Sequence, residues 1–253
     1  MTLSYDVAGD GPALVLLHSG VCDRRMWDAQ WPALVDAGYR LVRCDLRGFG
    51  ETPAADRSHS DAEDVRELLD TLDIGQAALV GSSYGGRIAL EFAARWPERA
   101  SALVLLCAGM PGHAASDALR AVGEREEALL AAGDVEGAVE LMVETWLGPD
   151  ADEGAREAVR RMQRRAFAVQ LAAEEFEPIS TEVDLANVRA RCLALSGGHD
   201  LVDFRQIAAQ LPGLVPNARH VELPWAGHFP SLERPAVVTD LLVDFLREAT
   251  PAG

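Results

Sequence analysis

Five short runs, "ALVLL" (13–17), "LVRCD" (41–45), "AALVG" (77–81), "ALVLLCA" (102–108) and "CLALSG" (192–197), constrain this chain most. Their apolar residues come consecutively instead of alternating with polar ones, which is how strands buried on both faces of a parallel sheet read. Such a sheet needs helices on both sides, and the intervening segments supply them. Ser60 with Glu63 three residues on forms a capping box for "DAEDVRELLDTLDI", and Gly75 follows as a stop. "GGRIALEFAARW" is closed by Pro97, and "PAVVTDLLVDFLREA" opens on Pro235 at a first-turn position. Strands alternating with helices imply right-handed βαβ units, so the predicted class is α/β with a mostly parallel central sheet flanked by helices. A length of 253 residues suits one such unit carrying an insertion.

The alternation stops between residues 112 and 190. "DALRAVGEREEALLAAG", "DVEGAVELMVETWLG" and "DEGAREAVRRMQRRAFAVQLAAEEF" read as helices with no strand among them. An insertion of this size between two core strands is most simply a helical cap or lid. The organisation expected is therefore a core of residues 1–111 and 191–253 with a cap of 112–190. Arg156, Arg160, Arg161, Arg164 and Arg165 read as one solvated helix face.

A formal net charge of -17 and a pI near 4.7 oppose binding to phosphate backbones or anionic lipid, so nucleic acid and membrane surfaces are set aside as partners. The N-terminal stretch shows no basic leader and no apolar run of spanning length, and a cytoplasmic location is the expectation. Cys22, Cys44, Cys107 and Cys192 stand singly without C-x-x-C spacing, the pattern of buried free thiols instead of a disulfide framework or a metal site.

In "LVGSSYGGRIAL" (79–90) the G-x-S-x-G spacing centres on Ser83, between a strand-like run and a helix. That context is what the motif requires, because the nucleophile must stand on a tight turn where flanking side chains would collide with backbone. Ser82 occupies the variable position and is expected to support the turn through a local hydrogen bond. A serine hydroxyl also needs a base and a group to orient that base. Of the six histidines, His228 alone lies in a short glycine-containing loop after a late strand, in "HVELPWAGHFPSLERP". His220 reads as a strand residue, His59 as exposed, His113 as a surface loop residue, and His199 as a neighbour of the acid. In "LALSGGHDLVDF" the acid is Asp200 or Asp203. Asp200 is preferred as the first carboxylate after the loop, with Asp203 expected to cap a helix starting at Phe204.

The order Ser83, Asp200, His228, together with "LVLLHSGVCDRRMW", "RCDLRGFGET", "GSSYGG", "LSGGHD" and "AGHFPSLERP", resembles the α/β-hydrolase superfamily over nearly the whole chain, in particular its capped lactonases, esterases and C-C bond hydrolases. The resemblance implies an oxyanion hole from the backbone N–H groups of Gly20 and Tyr84, with Ser19 as the alternative to Gly20 because the family usually has glycine there. It also implies structural roles for His18, Asp45 and Arg47. Serine at position 83 argues against the dehalogenases and epoxide hydrolases of this fold, which use aspartate. The function expected is hydrolysis of a small ester or lactone through an acyl-enzyme, without metal or organic cofactor. C-C bond hydrolysis, cofactor-free haloperoxidase activity and a receptor-like protein with little turnover are the alternatives. Trp27, Met142, Trp146, Phe167 and Trp225 are candidates to line the pocket, although helical spacing alone does not separate lining from core.

Overall fold

The computed structural model describes residues 3–174, 176, 178–179 and 181–249. Its sheet has seven strands: β1 (Tyr5–Ala8), β2 (Ala13–Leu17), β3 (Arg40–Cys44), β4 (Ala77–Ser82), β5 (Ala100–Leu106), β6 (Arg191–Gly197) and β7 (Ala218–Leu223). They lie in the order β1-β3-β2-β4-β5-β6-β7, with β1 antiparallel to β3 and every other pairing parallel. All six residues of β4, at the middle of the sheet, are buried, which explains its unbroken apolar reading. β1 was not among the predicted strands. Its "YDVA" alternates exposed with half-buried positions at an open edge and carries none of that signal.

Successive residues of one strand feed opposite faces. Val15 and Leu17 join the core beneath α2 (Asp61–Thr71), α3 (Tyr84–Arg95) and α7 (Val202–Leu214), where Leu69, Phe92 and Leu211 pack. Leu14 and Leu16 join a second core against α1 (Trp31–Asp36) and α9 (Pro235–Ala249), with Leu34 and Leu242. The sheet is thus covered on both sides, as a parallel sheet requires.

Between β5 and β6 the chain forms α4 (Asp117–Ala131), α5 (Val135–Trp146) and α6 (Glu153–Gln170). Ser116, Asp134 and Asp152 cap them by accepting from the N–H groups of Leu119, Gly137 and Ala155. α6 turns Val159, Met162 and Ala166 inward. It stops at Gln170, short of the predicted Phe176, and Glu175 in that predicted extension lies outside the described residues. Its arginines are less uniformly solvated than expected. Arg160 bonds Glu140 and Glu153, Arg164 bonds Glu136, and Arg165 reaches the carbonyl of Gly50 at 2.8 Å, tying α6 to the loop after β3.

Ser60 caps α2 by accepting from Glu63 N–H at 3.4 Å, but the Glu63 carboxylate turns to Arg95 instead of closing the box. All four cysteines are free and buried. Among the described residues no helix is long and apolar enough to cross a membrane.

Candidate active site

Ser83 joins β4 to α3 with φ 52° and ψ −112°, a backbone conformation that a residue with a side chain adopts only under constraint. The constraint is steric. A Cβ on Gly81 would stand 2.4 Å from Gly85 O, and one on Gly85 would stand 2.5 Å from Leu17 O. The turn is further held by Ser83 N–H to Leu106 O (2.9 Å), Gly85 N–H to His18 O (3.1 Å) and Gly109 N–H to Ser83 O (3.0 Å). Ser82 departs from the expectation: its hydroxyl is buried at the end of β4 and has no hydrogen-bond partner among the described residues.

His228 and Asp200 come together from the loops after β7 and β6. His228 Nδ1 lies 2.7 Å from Asp200 Oδ2, and Asp200 Oδ1 accepts from Leu201 N–H at 2.7 Å, so the carboxylate is fixed at both oxygens. The imidazole is buried among Phe204 (ring centroids 4.2 Å apart), Trp146 (4.5 Å) and Phe229 (5.1 Å). Its backbone N–H donates to Trp146 O at 2.7 Å, which joins the His228 loop to the end of α5. Glu233, which had no assigned role, accepts from the N–H groups of Gly227 (2.9 Å) and Phe229 (3.2 Å) and so splints the loop on both sides of His228. Burial pushes its carboxyl pKa above the ordinary value. The nearby Cys107 thiol is driven well up by burial and then by the Asp200 charge, so it stays protonated.

Ser83 and His228 line one cavity of about 390 Å³, without a hydrogen bond between them among the described residues. In unliganded sites such contacts are often long and tighten only around substrate. Gly20 and Tyr84 line the same cavity. Ser19 N–H points to Met26 Sδ at 3.4 Å, whereas Gly20 N–H meets no acceptor among the described residues, and Tyr84 N–H belongs to the first turn of α3, where helices leave donors free. Of these candidates, Gly20 is therefore the donor left available on the loop after β2.

The surrounding turns are pinned by buried polar groups. His18 Nε2 accepts from Leu46 N–H (2.9 Å) while Nδ1 meets Ser19 O (2.8 Å), and burial lowers the ring's pKa, so the neutral form fits both contacts. Asp45 accepts from the N–H groups of Arg24 and Glu51, both at 2.8 Å, and Arg47 clasps Asp64 at 2.5 and 2.7 Å. Tyr84 OH donates to Asp61 at 2.5 Å, and Asp61 faces His59 at 3.3 Å. His59 is accordingly not exposed as predicted: its side chain retains 9% exposure, and the Asp61 bond raises its pKa despite burial.

Met142, Trp146 and Phe167 line the cavity, as do Leu119, Val122 and Phe204, which sequence reasoning missed because a helical stripe does not say which neighbour it faces. Two predicted lining residues do not. Trp27 is fully buried in the core beside α1, and Trp225 lies under the Arg234 guanidinium, 4.6 Å from its ring centre. Asp203 does not cap α7. It is buried and accepts from Ser116 N–H at 2.8 Å and Ser116 Oγ at 2.5 Å, with His113 Nε2 at 2.9 Å, so His113 is a partner of this acid rather than a free surface ring. His199 is exposed, and His220 meets Ser196 Oγ at 2.8 Å.

A larger cavity of about 630 Å³ shares Gly20, Phe49, Tyr84 and Gln170 with the first, and its further lining includes Arg47, His59, Asp61, Leu171 and Phe176. Among the described residues two clusters hold potential metal donors, Cys107 with Asp200 and His228, and His59 with Asp61 and Asp64. In the first, His228 bonds Asp200 and the Cys107 thiol meets Gly227 O; in the second, Arg47 holds Asp64 while Asp61 meets Tyr84 OH and His59.

The alpha/beta hydrolase family profile matches residues 14–241. The 2-hydroxy-6-oxo-6-phenylhexa-2,4-dienoate hydrolase of Comamonas testosteroni is 27% identical, covering 97% of this chain and 91% of that protein. The solved enol-lactonase of Burkholderia xenovorans is 25% identical with a TM-score of 0.77, covering 96% of each chain. A thermophilic esterase from Thermogutta terrifontis is 26% identical with the same TM-score of 0.77, covering 98% of this chain and 93% of its own. With the fold, the strained elbow and these matches agreeing, the chain belongs to the alpha/beta hydrolase family and is an enzyme of the hydrolase kind.

Proposed function

We propose that this protein cleaves a small ester or lactone through an acyl-enzyme, with Ser83 as nucleophile, His228 as base and Asp200 as the group that orients it. The observation carrying the reading is the strained Ser83 turn facing the same cavity as an imidazole whose Nδ1 is held by a carboxylate. His228 Nε2 takes the Ser83 proton as Oγ bonds to the carbonyl carbon, and the N–H groups of Gly20 and Tyr84 hold the oxyanion. The imidazolium then protonates the leaving oxygen as its bond to carbon breaks. Water repeats the attack with His228 again as base, releasing the acid and restoring Ser83. Helices α4 to α6 act as the cap, since Met142 and Trp146 of α5 and Phe167 of α6 border the cavity. The substrate is a small diffusible molecule, and the site of action is the cytoplasm.

C-C bond hydrolysis is the second reading, favoured by the name of the Comamonas relative, which covers nearly the whole chain. A fluorophosphonate probe tests the hydrolase reading. Labelling is expected at Ser83, lost in Ser83→Ala and kept in Ser82→Ala. A folded wild type that takes no label would refute it. Turnover of p-nitrophenyl esters and lactones against ring-cleavage diketo acids separates the two activities.

A further inference from the structure

Away from Ser83 and His228, the walls of the cavity on α4 and α6 carry three polar side chains, of which Gln170 donates to Gly48 O at 3.2 Å. Gln163 sits on the inward face of α6, among Val159, Met162 and Ala166, and is 2% exposed. Its carboxamide has no hydrogen-bond partner among the described residues, and its oxygen is fully enclosed. Burying an unmet amide is unfavourable, and an apolar residue at this helical position would serve packing better. The third is Glu126, half-buried on α4 in the wall of the same cavity, where burial and then Glu127 raise its carboxyl pKa. A carboxyl group on α4 and, on α6, an unmet amide N–H of Gln163, the end of the carboxamide that is not enclosed, border the space beside Ser83.

Chemistry decides which half of a substrate would meet them. The leaving oxygen must come within reach of His228, which borders this cavity and is absent from the described lining of the larger one. The alcohol half therefore occupies the cavity that Gln163 and Glu126 face. We propose that Gln163 and Glu126 are specificity residues that recognise a hydroxyl on the alcohol half of the substrate, Gln163 by donating its amide N–H and Glu126 by accepting, an inference that rests on the hydrolase reading above. A hydroxyl accepts from one and donates to the other, so it satisfies both, and an all-carbon alcohol leaves them unpaired. Sites built to bond a polar group discriminate against the analogue lacking it for that reason.

The test compares pentyl butanoate with the isostere whose terminal methyl is a hydroxyl, and with the analogue ending in dimethylammonium. Wild type is expected to favour the hydroxyl ester over the pentyl ester by about tenfold in kcat/KM, the scale of one net hydrogen bond. Gln163→Met, which keeps volume, should bring that ratio to about one by lowering the first rate and raising the second. Glu126→Gln should weaken the dimethylammonium ester relative to the hydroxyl ester by a factor of about five to ten, the size of a charge-assisted bond less its neutral counterpart. Fluorophosphonate labelling of Ser83 is followed in every variant. A wild type that labels but prefers the pentyl ester, or a Gln163→Met variant that labels with an unchanged ratio, overturns the proposal and leaves the hydrolase reading standing. A wild type that neither labels nor turns over any ester removes both.

Discussion

At the scale of single residues, the site depends on groups that have no alternative partner. Asp200→Asn keeps the shape of the carboxylate but loses the charge that favours the Nδ1–H tautomer of His228. Turnover is expected to fall by about 10⁴-fold in a steady-state ester assay, the size of the loss seen for this change in a serine protease triad. Unfolding in denaturant should be shifted far less than activity. Glu233→Gln acts one step further out, through the loop that carries His228, and a drop in kcat at nearly constant KM is expected because the proposed base, not the binding wall, is loosened. That Ser83, Asp200 and His228 come close together was legible because each lies in a loop at a strand end with a recognisable neighbourhood. Asp203 was misread for the opposite reason. Its partners, His113 and Ser116, stand about 90 residues earlier, and nothing local announces them. Trp27 and Trp225 show the same limit, since an aromatic side chain reads alike whether it faces a cavity, a core or an arginine.

Elements come next, and here stability is the readout. Asp203 ties the start of α4 to the start of α7, and its pKa is lowered: burial acts upward, but the bonds from Ser116 and His113 outweigh it. A group depressed in the folded state adds stability above its unfolded pKa and loses it as pH falls through the folded one. Asp203→Ala should therefore cost about 2–4 kcal/mol near neutral pH by denaturant titration, with the deficit shrinking in acid. The histidines give opposite signs. His18 is held neutral in the fold, so acidification below about 6.5 favours the unfolded chain, whereas His59, raised by Asp61, adds stability below about 6.5 and loses it as pH rises through its folded value. His59→Asn is expected to steepen the loss of stability between about pH 7.5 and 5.5, measured by the same titration. Strands β2, β4, β5 and β6 could be recognised because burial on both faces makes them nearly continuously apolar, and β3 by its buried Leu41–Val42 pair, although Arg43 interrupts it. β1 could not, because an edge strand of four residues has one neighbour and little to bury.

For the molecule as a whole, a net charge of -17 surrounds the site with a repulsive field. Added salt is expected to raise kcat/KM for an anionic ester and to leave that of a neutral isostere nearly flat, measured at fixed pH between about 0.01 and 0.15 M ionic strength. The bond from His228 N–H to Trp146 O reaches further than its 2.7 Å suggests. Gly148 and Gly227 are packed so closely that a Cβ on Gly227 would stand 2.3 Å from Gly148 N. The end of α5 and the loop holding His228 are thus one mechanical part. A chimera that imports α4 to α6 from a relative would keep Ser83, Asp200 and His228 in sequence yet misplace the imidazole, whereas one that also imports residues 224 to 233 would carry the matching half of the joint. New specificities in this scaffold are then inherited as a pair of segments, and recombination that breaks the pair is filtered out before substrate choice can be selected.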